Sequence, residues 1–182
     1  MVSALFSLTV AMSLTCFGGL AAQSTWLTNG VPILDVPWAK STNGFGASLH
    51  LLGDKTLIDR WYTPDAPVIK DVEVTPRGKT NYVVVMFSGA SRDAQGRSDI
   101  RYDIDLLGPH GDSQRLASDA VGWEGEKISS TQKLQLGMTH ASLVFTNVGE
   151  RYSIRATVRD RIGHVALTLS RDVRVQALLH AP

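Results

Sequence analysis

Ser130-Thr131-Gln132-Lys133 has the Ser-x-x-Lys spacing with which a lysine deprotonates a serine nucleophile in one class of acyl-transfer enzymes. That chemistry needs the serine at the start of a buried helix, with Ser-Asp-Asn and Lys-Thr-Gly motifs completing the site. Neither motif occurs in this chain, so the spacing is read as coincidence. His50, His110, His140, His164 and His180 show no short paired spacing and no His-Glu-x-x-His pattern, which removes the usual zinc arrangements. The segment Asp93 to Asp99 offers oxygen-bearing side chains at alternate positions, as a calcium loop does. A calcium loop brings more carboxylates and a terminal bidentate Glu, and here Arg97 stands among the would-be ligands, so a plain hairpin connection is the better account. No Gly-x-Ser-x-Gly elbow, phosphate-cradling glycine loop or dinucleotide fingerprint is present. No catalytic, cofactor-binding or metal-ligating residue is assigned, and a non-enzyme is expected.

Two groups of residues remain as binding candidates. Arg151, Arg155, Arg159 and Arg161, with Arg174 on the following strand, share the outward register of a C-terminal hairpin. They would form a cationic strip for an anionic polymer, phospholipid headgroups or an acidic protein surface. The ordinary account is that Asp103 and Asp105 on a neighbouring strand, helped by Asp172, pair with them across the sheet. Trp61-Tyr62 and Trp123-Glu124-Gly125 could present flat apolar faces to a sugar ring, whereas the ordinary account makes both indoles part of the core. Arg171 falls in the inward register between Leu169 and Val173, which predicts a bulge or a sheet edge at that point.

The elements that must position these groups are strands. From Arg151 to Val158 apolar and polar residues alternate, the pattern breaks at Asp160 to His164, and it resumes from Val165 to Val175. A period of two over both runs is a half-buried hairpin. Phe45 to Leu51, Ile100 to Leu106 and Ala141 to Thr146 repeat the pattern, with a weaker strand at Gln114 to Val121 and another at Val68 to Thr75. Tyr82 to Phe87 is apolar without alternation, as in a strand covered on both faces. Lys55 to Trp61 reads as a short helix after an Asp54 cap, with Leu57, Ile58 and Trp61 on one face. The expected fold is all-β: a single antiparallel immunoglobulin-like β-sandwich of about eight strands with one short helix, over residues 45–176.

Residues 1–22 contain no charged side chain and end in small residues, which reads as a secretory signal; cleavage after Ala21 or Ala22 and retention as an anchor both fit. Cleavage would also remove Cys16, the one cysteine, leaving a core without a disulfide. Residues 23–44 read as an irregular arm, part of which docks because it carries Trp26 and Trp38, and residues 177–182 as a tail. A formal net charge of +1 gives no support to nucleic acid as a partner.

Phe45-Gly46-Ala47, Trp61 before Thr63-Pro64, Arg77-Gly78-Lys79, Phe87-Ser88-Gly89, Gly149 to Tyr152 and Val158 to Asp160 occur in an order that resembles a group of exported proteobacterial sandwich proteins with no established function. The resemblance implies export and fold, and supplies no catalytic residue. It also implies two cysteines flanking the loop after Phe-Ser-Gly, where this chain has Ala90 and Ser98. The expectation is therefore a periplasmic or secreted binding or assembly module, using a strand edge or the loops at 88–99 and 122–133. Its partner is expected to be another envelope protein, with membrane association through the arginine strip and glycan or small-ligand binding through the tryptophans as alternatives. The oligomeric state is left open.

Overall fold

The computed structural model describes residues 27–28, 31–32, 34–63, 68–125 and 134–177. The expected signal segment, much of the arm, the Ser130–Lys133 motif and the end of the tail lie outside the described residues. In chain order the elements are β1 (Leu27–Thr28), β2 (Val31–Pro32), β3 (Ala39–Thr42), β4 (Phe45–Leu52), α1 (Thr56–Arg60), β5 (Val74–Pro76), β6 (Thr80–Ser88), β7 (Ser98–Leu107), β8 (Ser113–Gly125), β9 (Gln135–Leu136), β10 (Ala141–Val144), β11 (Arg151–Asp160) and β12 (Val165–Gln176). Among the described residues no helix is long and apolar enough to cross a membrane.

Alternation decides which face each strand buries. Phe45, Ala47, Leu49 and Leu51 of β4, Ile100, Tyr102 and Ile104 of β7, Ile154, Ala156 and Val158 of β11 and Val165, Leu167, Leu169, Val173 and Val175 of β12 meet in one core between two sheets. The first sheet runs β10-β6-β4-β3, with β9 also on β6; the second runs β5-β12-β11-β7-β8. Among the described residues the β5–β12 pairing alone is parallel. With β4, β6 and β10 facing β7, β11 and β12, this is an immunoglobulin-like sandwich. Burying each of these Val, Leu or Phe side chains is worth about 1.5–3 kcal/mol relative to exposure.

The unalternated run of β6 has a simple cause. Val83, Val85 and Phe87 face the main core, while Val84 and Met86 face a second cluster made with Leu52, Leu57, Trp61 and Leu136 under α1. That helix follows Asp54, whose carboxylate accepts the Thr56 amide at 2.8 Å; the cap position itself is Lys55, which makes no side-chain capping bond.

Three expectations are corrected. Ala39–Thr42, placed in an irregular arm by the sequence reading, forms β3 and pairs with β4 through the turn Asn43-Gly44, both at positive φ. Such a pair of residues fits the tight turn whose twist matches two antiparallel strands. The strand expected over Val68 to Thr75 is confined to β5, because Ile69 packs against the second cluster and Asp71 and Val72 bond to the edge of β4 instead. Of the bulge or sheet edge expected at Arg171 the bulge is absent, since β11 and β12 stay in unbroken register through Ile154↔Arg171, while the edge is there: β5 joins β12 only from Arg174 onward.

Asp160, the last residue of the Val-x-Asp match, is fully buried and explains that motif. Its carboxylate accepts the amides of Ser91 (2.7 Å), Gly163 (2.9 Å) and Ile162 (3.2 Å), tying the hairpin turn to the loop after β6. Ser98, where the resemblance implies a cysteine, donates instead to the Ser91 carbonyl at 2.8 Å.

Candidate functional site

One cleft stands out by residue type. The segment from β9 to β10 crosses between the sheets, and its backbone is stitched to both. Gly137 N–H donates to the Val85 carbonyl (2.8 Å) and Met138 N–H to that of Gly122 (2.9 Å). The Thr139 hydroxyl reaches Val121, and the Tyr102 phenol donates to the Thr139 carbonyl. Glycines at 122 and 137 leave room for the buried Tyr102 side chain: a Cβ at 122 would crowd its ring at 2.8 Å and one at 137 its hydroxyl at 2.9 Å. Over this fixed floor lies a cleft of about 610 Å³ whose walls include Ile58, Tyr62, Trp123, Glu124, Met138 and His140.

Trp61 and Trp123 therefore part company. Trp61 is buried in the second cluster and offers no face to a ligand; the exposed aromatic there is its neighbour Tyr62, whose hydroxyl donates to the Leu136 carbonyl at 3.1 Å. Trp123 is half-buried, packed edge-on against Phe87, and lines the cleft. Met138, which no motif marked, is 63% exposed and completes the cleft.

The arginine strip also divides. Arg159 pairs with Asp103, Asp103 and Asp105 pair with Arg115 of β8, and Arg161 bridges Asp119 at 2.9 Å. Arg151, Arg155 and Arg174 make no ion pair among the described residues, although Arg155 lies directly opposite Asp105. Asp172, expected to help, pairs with none of them.

Burial alone would raise the Asp103 carboxyl, but the Asp119 amide and the Arg159 and Arg115 guanidinium groups outweigh it and hold the group below its ordinary value. A depressed carboxylate contributes stability that is present above the unfolded-state value and lost as pH falls through the folded-state one. Asp103→Asn should thus cost about 1–3 kcal/mol near neutral pH. The difference from the parent should shrink as pH falls from neutral through the acid range, where the Asp103 carboxyl takes up its proton, as urea unfolding along that pH series would show.

A further constellation was invisible to spacing arguments. His50 Nδ1 lies 3.0 Å from an Asp71 carboxylate oxygen and Nε2 lies 2.8 Å from Ser48 Oγ. This has the connectivity of a nucleophilic triad. Ser48 is only 4% exposed, however, so no substrate carbonyl can approach it. The cluster instead completes the edge of β4. Along that edge the Leu49 amide donates to the Trp38 carbonyl (2.8 Å) and the Leu49 carbonyl accepts Arg171 Nε (2.9 Å). The Leu51 amide donates to Asp71 (3.2 Å), and the Leu51 carbonyl accepts the Val72 amide (2.8 Å). Arg171 and Asp71, 3.1 Å apart, stand where a neighbouring strand would be, and the Trp38 ring covers the guanidinium at 4.8 Å. Burial lowers the Arg171 pKa, and the charges of Asp71 and Glu73 oppose that shift.

No protein-family model matches the chain, and no curated protein does. Among solved structures the chain is similar to a CARDB domain from Pyrococcus furiosus, in complex with di-metal ions, at 13% identity and TM-score 0.40, covering 80% of this chain and 100% of that one. A PKD domain of an M14-like peptidase from a Thermoplasmatales archaeon matches at 14% identity and TM-score 0.33, over 58% of this chain and 87% of that one. Likeness this slight carries no functional argument; the fold rests on strand order and register. Among the described residues no group of three or more His, Cys, Asp or Glu side chains could hold a metal ion.

Proposed function

We propose that the protein is an exported, non-enzymatic binding module of the cell envelope whose partner is another protein, with apolar side chains of that partner seated between Tyr62, Trp123 and Met138. The observation that carries this reading is the exposure of Tyr62 (58%) and Met138 (63%) around a half-buried indole on a hydrogen-bonded floor. Tyr, Trp and Met are the residue types enriched where proteins meet, and a rigid floor lowers the ordering cost of binding. Export rests on the uncharged, small-residue-ended segment at 1–22.

The glycan alternative fits this cleft less well. A sugar ring carries hydroxyls around its rim, and seating one here would set many of them against Ile58, Leu136 and Met138; among the described residues Glu124 and His140 are the cleft's polar side chains besides the Tyr62 hydroxyl, which is already bonded to Leu136, and the Trp123 indole. Unpaired buried hydroxyls cost affinity.

Met138→Glu separates these readings, since an exposed position tolerates the change in the free protein. The variant should melt within about 0.5 kcal/mol of the parent. Its binding to the envelope protein that the parent captures by proximity cross-linking at the cleft should be weaker by about tenfold or more. Unchanged capture would remove the cleft from the interface, and quenching of Trp123 fluorescence by oligosaccharides would transfer the site to glycans.

A further inference from the structure

On the second sheet, Arg151 and Arg174 are directly opposite each other across β11 and β12, with exposed side chains on the same face. Like charges in that relation destabilise a sheet. No direct ion pair offsets that cost: among the described residues neither guanidinium is bonded to a carboxylate, whereas Arg101, Arg115, Arg159 and Arg161 on the same sheet and its adjoining turn each are. The arginines of the face are therefore ion-paired at the β7–β8 side, while Arg151 and Arg174 at the β12 side are not.

That cationic side opens into a cleft of about 630 Å³ between the β12 strand and the Trp38 end of β3. Arg151 and Arg174 line it together with Ser170, and its floor is Arg171, whose charge is already met by Asp71. Two carboxylates, Glu73 and Asp172, also line it, and neither pairs with Arg151 or Arg174. Arg155, opposite Ser170 and four residues along β11 from Arg151, adds a third cation without an ion pair among the described residues.

Two adjacent guanidinium forks suit one tetrahedral oxyanion, because each donates two parallel N–H groups and the anion cancels their mutual repulsion. We propose that Arg151 and Arg174 bind a phosphate group at this cleft, with Ser170 available as a hydroxyl donor. The site is separate from the aromatic cleft and does not depend on the protein-binding reading.

The test uses the mature chain at low ionic strength in two arms: calorimetric titration with inorganic phosphate, and co-sedimentation with vesicles of phosphatidylglycerol in phosphatidylcholine. Arg151→Gln and Arg174→Gln should each weaken binding by about tenfold, the loss of one charge-assisted fork. Arg115→Gln, which removes an already paired cation, should leave binding unchanged. Without anion, Arg151→Gln should melt above the parent, and at one phosphate concentration the melting temperature of the parent should rise by more than that of the variant. Binding in the first arm assigns a soluble phosphate. Binding in the second arm alone, with the same dependence on both arginines, assigns a lipid headgroup. No binding in either arm, or binding indifferent to Arg151 and Arg174, overturns the proposal.

Discussion

Arg171→Ala should lower the unfolding free energy by about 3–5 kcal/mol, the usual consequence of removing one partner of a buried ion pair. The guanidinium is 8% exposed and serves three groups: the Leu49 carbonyl, the Asp71 carboxylate and the Trp38 ring. Its loss leaves a strand-edge carbonyl without a donor and a carboxylate held only by His50 and the Leu51 amide. Arg171→Lys keeps the charge, but a single ammonium cannot reproduce the planar fork that reaches carbonyl and carboxylate together, so it should fall between parent and alanine variant. Urea midpoints for the three proteins test this. If the alanine variant lost less than about 1 kcal/mol, as an exposed ion pair would, the buried-edge account would be wrong.

Gly89→Ala is expected to cost about 2–5 kcal/mol, combining a left-handed backbone penalty with overpacking. Gly89 sits at φ 67°, and a Cβ there would run into the carbonyl of Gly44, in the Asn43-Gly44 turn of the β3–β4 hairpin. Backbone cannot step aside as a side chain can. Gly96→Ala supplies the internal comparison: it has φ 79° but open space around its would-be Cβ, so it should show only the conformational part, about 1 kcal/mol. Equal losses at the two positions would mean that the Gly44 contact is slack. The Phe-Ser-Gly match thus has a mechanical reason, since the end of β6 must pass close to the β3–β4 hairpin.

Much of this architecture can be read from residue alternation, because each strand buries one face and the period of two reports that directly. The C-terminal hairpin, the doubly covered β6 and the Asp103–Arg159 pairing follow from local pattern. What escaped has particular causes. Asn43-Gly44 is a strong hairpin signal, but the preceding residues Ala39 to Thr42 are small or polar and do not look like a strand. Arg171 pointed to a bulge or a sheet edge and not to a buried ion pair, because its partner Asp71 is far away in sequence, in a segment whose own pattern suggested a strand. Of the candidate site residues, Trp61 was drawn into the core by the helix face that also carries Leu57. Tyr62 and Met138 carry no periodic signal at all; only the crossing of the chain between two sheets brings them to one place.

The plugged margin of β4 bears on how the protein behaves in a crowded compartment. A bare row of amides and carbonyls is a template for a foreign strand, and fibrils grow by such templating. Here two of the four sites a visitor would need are filled by a guanidinium and a carboxylate, which satisfy the hydrogen bonds yet cannot be extended by another backbone, and the other two by the Trp38 carbonyl and the Val72 amide. The arrangement therefore hinders polymerisation at that seam without requiring proline or a covering helix.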